Sequence, residues 1–345
     1  MIKVLIVDDS AIIRDSLSKY LSNFQDIQVV GVAPDPFVAR DKILKLKPDV
    51  ITLDIEMPRM DGLSFLEKLM VYYPIPVIIV SSITKKDPNS VIKAMELGAF
   101  DVVNKSNLFS VQEVLEEILV KIRNAYESRE EFLKKFQKVS QSHKIKKHEI
   151  YTRDIQTTDK IIAIGASTGG TVAIEFILSN LPKNIPPIVV VQHMPMGFTY
   201  QFANRLNEIS NLEVKEAQEG DLLEIGKVLI AKGGYHLKVI RKGNHTYTHL
   251  DTGEKVYFQK PSVDVLFYSV AENFGKNSIA ILLTGMGRDG STGLKKIKEL
   301  GGYTIVQDEE SSIVWGMPKA AIDLGAHNEI LPLNQIPQKI LKLLS

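Results

Sequence analysis

Five residues at the ends of apolar runs in the first third of the chain could act together on a phosphoryl group. Asp8 and Asp9 close the run Val4-Leu5-Ile6-Val7, and Asp54 closes Val50-Ile51-Thr52-Leu53. Ser81-Ser82 closes Val77-Ile78-Ile79-Val80, and Lys105 follows Val102-Val103. Three carboxylates at close quarters repel one another, so they call for a hard cation, with octahedral Mg2+ the natural choice for oxygen ligands. A carboxylate beside that ion can attack a phosphoryl group while the metal and a lysine neutralise its oxygens. Ser81 could then bond the new phosphoryl oxygen and move its loop. A single aspartate at a strand end is most simply the cap of the next helix. Five such groups in register are not explained that way.

A second constellation lies beyond residue 160. The run Ile161-Ile162-Ala163-Ile164 enters Gly165-Ala166-Ser167-Thr168-Gly169-Gly170-Thr171 and leaves as the helix-like Val172–Leu178. G-x-S-x-G fits a nucleophile elbow, with Ser167 on a sharp turn and helix amides near an oxyanion. A strand, glycine turn and helix also fit a phosphate cradle, although the Walker lysine and a full G-x-G-x-x-G are missing. The small residues could equally serve close helix packing. A nucleophilic serine needs a base, and the histidines are His143, His148, His193, His236, His245, His249 and His327. His143 and His148 fall in a lysine-rich stretch. His245 and His249 share a strand face but lack a third metal ligand.

His193 directly follows the run Ile188–Gln192, which puts it on the sheet edge that Ser167 occupies. Asp289, in Thr284–Gly290 after the run Ile279–Leu283, reaches the same edge. It could orient the imidazole, or cap a helix over Thr292–Leu300. The order Ser, His, Asp differs from the Ser, Asp, His of α/β-hydrolases, under which His327 would be the base. Triads are defined by geometry, so strand-end placement ranks His193 first.

These positions presuppose a scaffold. The chain has 345 residues, which suits two domains of roughly 150 residues each. β-branched runs without polar alternation suit strands buried on both faces, and signals such as Asp87-Pro88 and Gly98 start and stop helices between them. Residues 1–122 thus read as a doubly wound, five-stranded parallel α/β domain, closed by a helix with Val111, Val114, Leu115, Ile118 and Ile122 at helical spacing. Residues 123–157 read as a charged linker, with six lysines and no acid from Lys134 to Lys147. Such a run is a tether extended by like-charge repulsion, or a basic face for an acidic partner, and charge runs mostly mark solvated chain. Residues 158–345 read as a Rossmann-like α/β domain. An antiparallel excursion is expected at about 213–260, where apolar and polar residues alternate between glycine turns.

Composition removes several functions. The 42 basic and 41 acidic residues leave a net charge of +1, so no global field favours nucleic acid or anionic lipid. The absence of cysteine excludes thiolate nucleophiles, Cys-ligated zinc and disulfides, which turns the search for a nucleophile toward Ser167. Asp8-Asp9 interrupts the first apolar run too early for a signal peptide, and no stretch approaches the ~18 apolar residues of a membrane helix. The expectation is a cytoplasmic protein without membrane insertion or nucleic-acid binding.

Val7-Asp8-Asp9-Ser10, Asp54-Ile55-Glu56-Met57-Pro58, Ser81-Ser82 and Lys105 resemble the receiver domain of bacterial response regulators over about residues 1–122. That resemblance implies Asp54 as phosphoacceptor and Mg2+ held by Asp8, Asp9 and Asp54 with help from the Glu56 backbone. It also implies Ser81 as switch hydroxyl and Lys105 as phosphoryl contact. Ser106 stands where the family usually has proline.

Residues 160–340 resemble the catalytic domain of the chemotaxis protein-glutamate methylesterases. The segments that carry this are Ile164–Gly170, Gln192-His193-Met194-Pro195, Gly197-Phe198-Thr199, Pro261–Phe267, Leu283–Gly290 and Gly316-Met317-Pro318. The resemblance implies Ser167 as nucleophile, His193 as general base, Asp289 as its partner, and Thr168 and Met286 at the oxyanion, with no cofactor for the esterase. Lys232 replaces a common proline, and Trp315 a smaller aromatic. The implied substrates are γ-glutamyl methyl esters and particular glutamines of methyl-accepting chemoreceptors. A chemotaxis histidine kinase would phosphorylate Asp54 and loosen a receiver that covers the catalytic face. The rival readings are a non-catalytic binding module and a nucleotide-binding output domain.

Overall fold

Buried apolar runs decide the strands of the first sheet, and short polar caps decide where its helices begin. The computed structural model describes residues 1–57, 60–82, 89–135, the backbone of 136–140 and 159–345, less 106–110. Pro58, Asp87-Pro88, Ser106, His143, His148 and the lysines at 144, 146 and 147 lie outside the described residues. The chain divides into two units, Met1–Gln141 and Ser142–Ser345.

The first unit alternates β1 (Ile2–Val7), α1 (Ala11–Leu21), β2 (Ile27–Ala33), α2 (Pro36–Leu46), β3 (Val50–Leu53), α3 (Gly62–Tyr72), β4 (Val77–Ser81), α4 (Ser90–Glu96) and β5 (Asp101–Asn104). Two helices follow, α5 (Val111–Glu127) and α6 (Arg129–Ser140). Every residue of β3 and β4 is buried, as expected for parallel strands covered on both faces. Ser10 caps α1, Asp61 caps α3, and Asp35 caps α2 with Pro36 in its first turn. The strand order β2-β1-β3-β4-β5 makes β1 and β3 neighbours, with Val7 paired to Leu53. Asp8 and Asp54 therefore leave the sheet side by side. Ser81 pairs with Asn104, which sets Lys105 beside it.

Part of the stretch expected as linker is ordered helix. α5 runs five residues beyond 122 to Glu127, and α6 follows directly. Phe132 is 2% exposed and meets Phe100 edge-on at 5.2 Å, while Arg129 pairs with Asp49 at 2.9 Å. One buried aromatic holds α6 on the receiver-like unit although its other side chains are mostly charged.

The second unit contains β6 (Ile161–Ala166), α7 (Gly170–Ser179), β7 (Ile188–Gln192), α8 (Phe198–Ile209), β8 (Glu213–Glu216), β9 (Lys227–Ile230), β10 (His236–Lys242) and β11 (His245–Asp251). It continues through α9 (Val263–Phe274), β12 (Ser278–Leu282), α10 (Ser291–Glu299), β13 (Tyr303–Gln307), α11 (Gly316–Asp323), β14 (Glu329–Leu331) and α12 (Ile336–Leu344). The main sheet is parallel throughout, in the order β14-β13-β12-β6-β7-β9-β8. The antiparallel excursion is narrower than the alternation implied, because among the described strands β10 and β11 alone pair that way, accompanied by single antiparallel bridges at Leu222–Tyr247 and Val256–Gln259. Within β9, Val228, Leu229 and Ile230 are buried in succession, the mark of an interior parallel strand rather than a half-exposed one.

Strand order reverses between β12 and β6. In open α/β sheets ligands bind at that switch point, outside the carboxyl ends of the strands. Ser167 follows β6, His193 follows β7, and the loop to Asp289 follows β12. Gly165 is required there, since a Cβ on it would stand 2.2 Å from Val263 at the start of α9. The small-residue motif thus does serve close packing, against α9 at Gly165 and between α7 and β6 at Gly170, whose Cβ would stand 2.5 Å from that of Ala166.

Candidate functional site

Register brings the serine and histidine together. Ala166 pairs with Gln192, and the His193 amide donates to the Ala166 carbonyl at 3.1 Å. The Gln192 side-chain amide then donates to the carbonyls of both Ser167 (3.0 Å) and His193 (3.2 Å). The Ser167 amide donates to Thr284 O at 3.0 Å, and its carbonyl accepts from Gly170 N at 2.7 Å. Both residues are buried but reach the surface, at 7% and 8% exposure. No hydrogen bond joins the Ser167 hydroxyl to another group among the described residues. Catalytic contacts of this kind are often long before substrate binds and tighten afterwards.

Asp289 is the most completely held member of the set. Its Oδ2 accepts from His193 Nε2 at 2.8 Å and from the Val263 amide at 2.7 Å. Its Oδ1 accepts from the Ser262 hydroxyl at 2.7 Å and the Asp264 amide at 3.0 Å. Burial pushes this carboxyl up, but the His193 hydrogen bond and charge, the Asp264 amide and the Ser262 hydroxyl outweigh it. The net result lies below the ordinary carboxylate value. An ionised Asp289 keeps the shared proton on His193 Nε2, which leaves Nδ1 as the basic nitrogen.

Asp289 does not cap the helix that follows it. α10 begins after Gly290 with no side-chain cap, and Asp289 instead receives the first amides of α9, where the helix dipole favours an anion. His236 stands behind this arrangement. Its Nδ1 accepts from the Ser262 amide and its Nε2 donates to Glu254 O, so it is a neutral imidazole, and burial lowers its pKa.

His327 precedes β14 and so lies at the amino edge of the sheet, away from Ser167. His249 bonds Glu219 at 3.1 Å. Thr168 sits beside the serine, with its carbonyl bound by the Thr284 hydroxyl at 2.9 Å. Its amide donates to no protein group among the described residues. Met286 follows Gly285, whose amide donates to Val314 O at 2.9 Å. Gln192, Thr284 and Ser262 were not assigned roles from sequence. For Gln192 and Thr284 the signal was a polar residue ending or following an apolar strand, where a buried side chain must find backbone partners, and for Ser262 it was a serine at the N-cap of α9.

In the first unit Lys105 Nζ lies 2.5 Å from Asp8 Oδ2 and 2.7 Å from Asp54 Oδ2. Asp54 Oδ1 accepts from the Glu56 amide at 3.2 Å, and Asp8 Oδ1 from the Ser10 amide at 2.9 Å. Burial raises the Asp54 carboxyl to about 6; Lys105 opposes the shift and Asp8 adds to it. Asp8, Asp9 and Asp54 can bring one oxygen each within 4.8 Å of one another, the one such group of three potential metal ligands among the described residues. All-oxygen donors with excess negative charge suit a small hard dication. The Ser81 hydroxyl donates to Ser82 O at 3.3 Å, turned to its own loop. Among the described residues no helix is long and apolar enough to cross a membrane.

Comparison with known proteins agrees with this division. The family described as CheB methylesterase matches residues 162–340, and that described as response regulator receiver domain matches residues 4–119. A protein-glutamate methylesterase/protein-glutamine glutaminase of Sulfurimonas denitrificans is 50% identical over 100% of this chain and 99% of that protein. One of Syntrophus aciditrophicus is 48% identical over 99% of each. The crystal structure of the Thermotoga maritima CheB methylesterase catalytic domain covers 53% of this chain and 98% of its own, at 44% identity and a TM-score of 0.53.

Proposed function

This chain belongs to the CheB methylesterase family with a receiver domain ahead of the esterase, and from that premise we propose that it hydrolyses γ-glutamyl methyl esters under phosphorylation control. The substrates are methylated glutamyl side chains on the helical cytoplasmic region of chemoreceptors, and the products are glutamate and methanol. The observation that carries this reading is the convergence of Ser167, His193 and Asp289 at the carboxyl ends of β6, β7 and β12, with the 2.8 Å His193–Asp289 bond.

Ser167 Oγ attacks the ester carbonyl while His193 Nδ1 takes its proton. The amides at Thr168 and Met286 receive the developing oxyanion. His193 returns the proton to the departing methoxide, then deprotonates water, which attacks the acyl-serine and frees Ser167. Asp289 stabilises the imidazolium throughout. A receptor glutamine passes through the same acyl-enzyme with ammonia as leaving group, which yields glutamate.

The receiver, residues 1–122, governs the catalytic part, residues 158–345. Asp54 is the phosphoacceptor, and a chemotaxis histidine kinase supplies the phosphoryl group in the cytoplasm. Asp8, Asp9 and Asp54 would hold Mg2+, which when bound neutralises the phosphoryl oxygens. Lys105 neutralises the remaining charge, and the Ser81 hydroxyl turns from Ser82 to the new phosphoryl oxygen.

The test is methanol release from methylated receptor membranes, with and without a small-molecule phosphodonor. Wild type releases methanol faster with the donor, Ser167→Ala releases none, and Asp54→Asn ignores the donor. Release that survives Ser167→Ala sinks the serine mechanism. A silent wild type after donor treatment favours a binding module.

A further inference from the structure

Residues 256–259 form a tight hairpin turn beside the triad. Val256 N donates to Gln259 O at 3.1 Å, and Gln259 N donates to Val256 O at 2.8 Å. The central residues, Tyr257 and Phe258, have φ of 49° and 64°. Positive φ at both central positions is the type I′ turn, which asparagine and glycine normally fill. Here two aromatic residues hold that conformation although neither contributes to the core, for Phe258 is 77% exposed and Tyr257 44%. Bulky residues kept in the left-handed region with their rings in water are costly to folding, and such strain concentrates where a ligand is gripped.

Position supplies the ligand. From Gln259 the chain passes through Lys260 and Pro261 to Ser262, whose hydroxyl binds Asp289. On the other side Arg288, the exposed neighbour of Asp289, lies over the Tyr257 ring at 5.9 Å. The aromatic turn is thus bracketed by the two segments that hold the third member of the triad. Exposed charge along these segments comes from Lys255 and Arg288 against Glu254, while the half-buried Lys260 spends its ammonium on the Thr252 and Gly253 carbonyls. Apolar rings within a basic rim complement an amphipathic helix whose polar face carries carboxylates.

We propose that the Tyr257–Phe258 turn is a docking wedge, and that it grips the acidic amphipathic helix flanking the glutamyl ester to be hydrolysed. This rests on the reading of helical chemoreceptor segments as substrate. The rings enter the apolar stripe of that helix, and Arg288 and Lys255 meet its carboxylates. Aromatic and arginine anchors of this type carry most of the affinity of many interfaces. Docking at the turn sets which glutamyl side chain reaches Ser167.

The test replaces the wedge with the residues its backbone prefers, Tyr257→Asn together with Phe258→Gly, in the full chain. Relief of two left-handed aromatics raises the thermal midpoint by roughly 3–8 °C. On methylated receptor membranes KM rises about tenfold while kcat stays within about twofold. Arg288→Ala raises KM in the same direction by a smaller factor. An unchanged KM in the double variant overturns the wedge while leaving the esterase reading intact. A fall in kcat at constant KM also overturns it, since that reports distortion of Asp289 rather than lost docking. A wild type that releases no methanol from receptors removes the substrate reading, and the wedge falls with it.

Discussion

Gly285 passes so close to Ser167 that a Cβ on the glycine would stand 2.6 Å from the serine Cβ. The same atom would lie 2.4 Å from Met317 Sδ, so it is trapped between the nucleophile turn and the start of α11. The β12 loop therefore fixes the serine from behind, through Gly285 and through the Thr284 carbonyl that accepts the Ser167 amide.

Gly285→Ala follows as a first prediction. The position does not require a left-handed φ, so space alone decides the outcome. Met317 can yield as a flexible side chain, whereas the serine can yield only by moving its backbone. A displacement near 1 Å at a nucleophile costs about a hundredfold in rate, and overpacking costs about 1–3 kcal/mol in stability. Methanol release and a thermal melt on the same preparation check both. A variant with wild-type kcat would show that the loop adapts without moving Ser167.

The double duty of Asp289 gives a second prediction. Asp289→Asn cannot accept from all four donors now bound to the carboxylate, and it no longer fixes the His193 tautomer. The change lowers kcat by about 10³–10⁴ and stability by about 2–3 kcal/mol. Asp289 is held below the ordinary carboxylate value, so its contribution is fully present above the unfolded pKa of about 3.9. It is lost as pH falls through the lower folded value. Denaturant melts of wild type and variant should thus differ by a constant amount from pH 8 to about pH 5 and converge below about pH 4.

The sequence made the carboxyl-edge residues readable because each terminates an apolar run, and parallel strands deliver such residues to one edge. Asp8, Asp54, Ser167, His193 and Asp289 all came from that one rule. What it could not supply was side-chain direction. The same placement allowed Asp289 to cap α10, and only the start of α9, brought in from 25 residues earlier by the chain, shows which amides it receives. The parallel pairing of β8 and β9 was obscured because four-residue strands are too short for periodicity to separate from turns. Likewise α6 reads as solvated tether because its run of lysines outweighs the few apolar residues, Phe132, Phe136 and Val139, that recur at helical spacing.

Asp54 yields a third prediction, made for protein freed of metal by a chelator. Burial raises its carboxyl to about 6 despite Lys105, so the folded receiver binds a proton that the unfolded chain releases between about pH 6 and pH 4. Stability from this group accordingly falls as pH rises through that interval, by on the order of 2 kcal/mol. Asp54→Asn removes the penalty. Its stability relative to wild type should rise from pH 4 to about pH 6.5 and then level off. Added Mg2+ should raise the midpoint of wild type at pH 8 more than that of the variant. A flat difference across the interval would show that Lys105 fully compensates the buried charge.

Gln192 offers the sharpest separation of positioning from folding. Its amide nitrogen ties the Ser167 and His193 carbonyls together, while its own Oε1 is buried without a partner. Gln192→Leu therefore removes one unsatisfied atom as it frees two carbonyls, and the Ser167 carbonyl keeps its bond from Gly170. These effects oppose each other, so stability should change by no more than about 1 kcal/mol. The two turns that carry nucleophile and base lose their shared tie, and kcat should fall about 10- to 100-fold with KM for receptor membranes unchanged. Gln192→Glu sets a carboxylate against the same two carbonyl oxygens and should be slower than Gln192→Leu at pH 8. Its rate should recover as pH falls and the acid regains a proton to donate. A loss of thermal stability with kcat per folded molecule intact would assign Gln192 to the core alone.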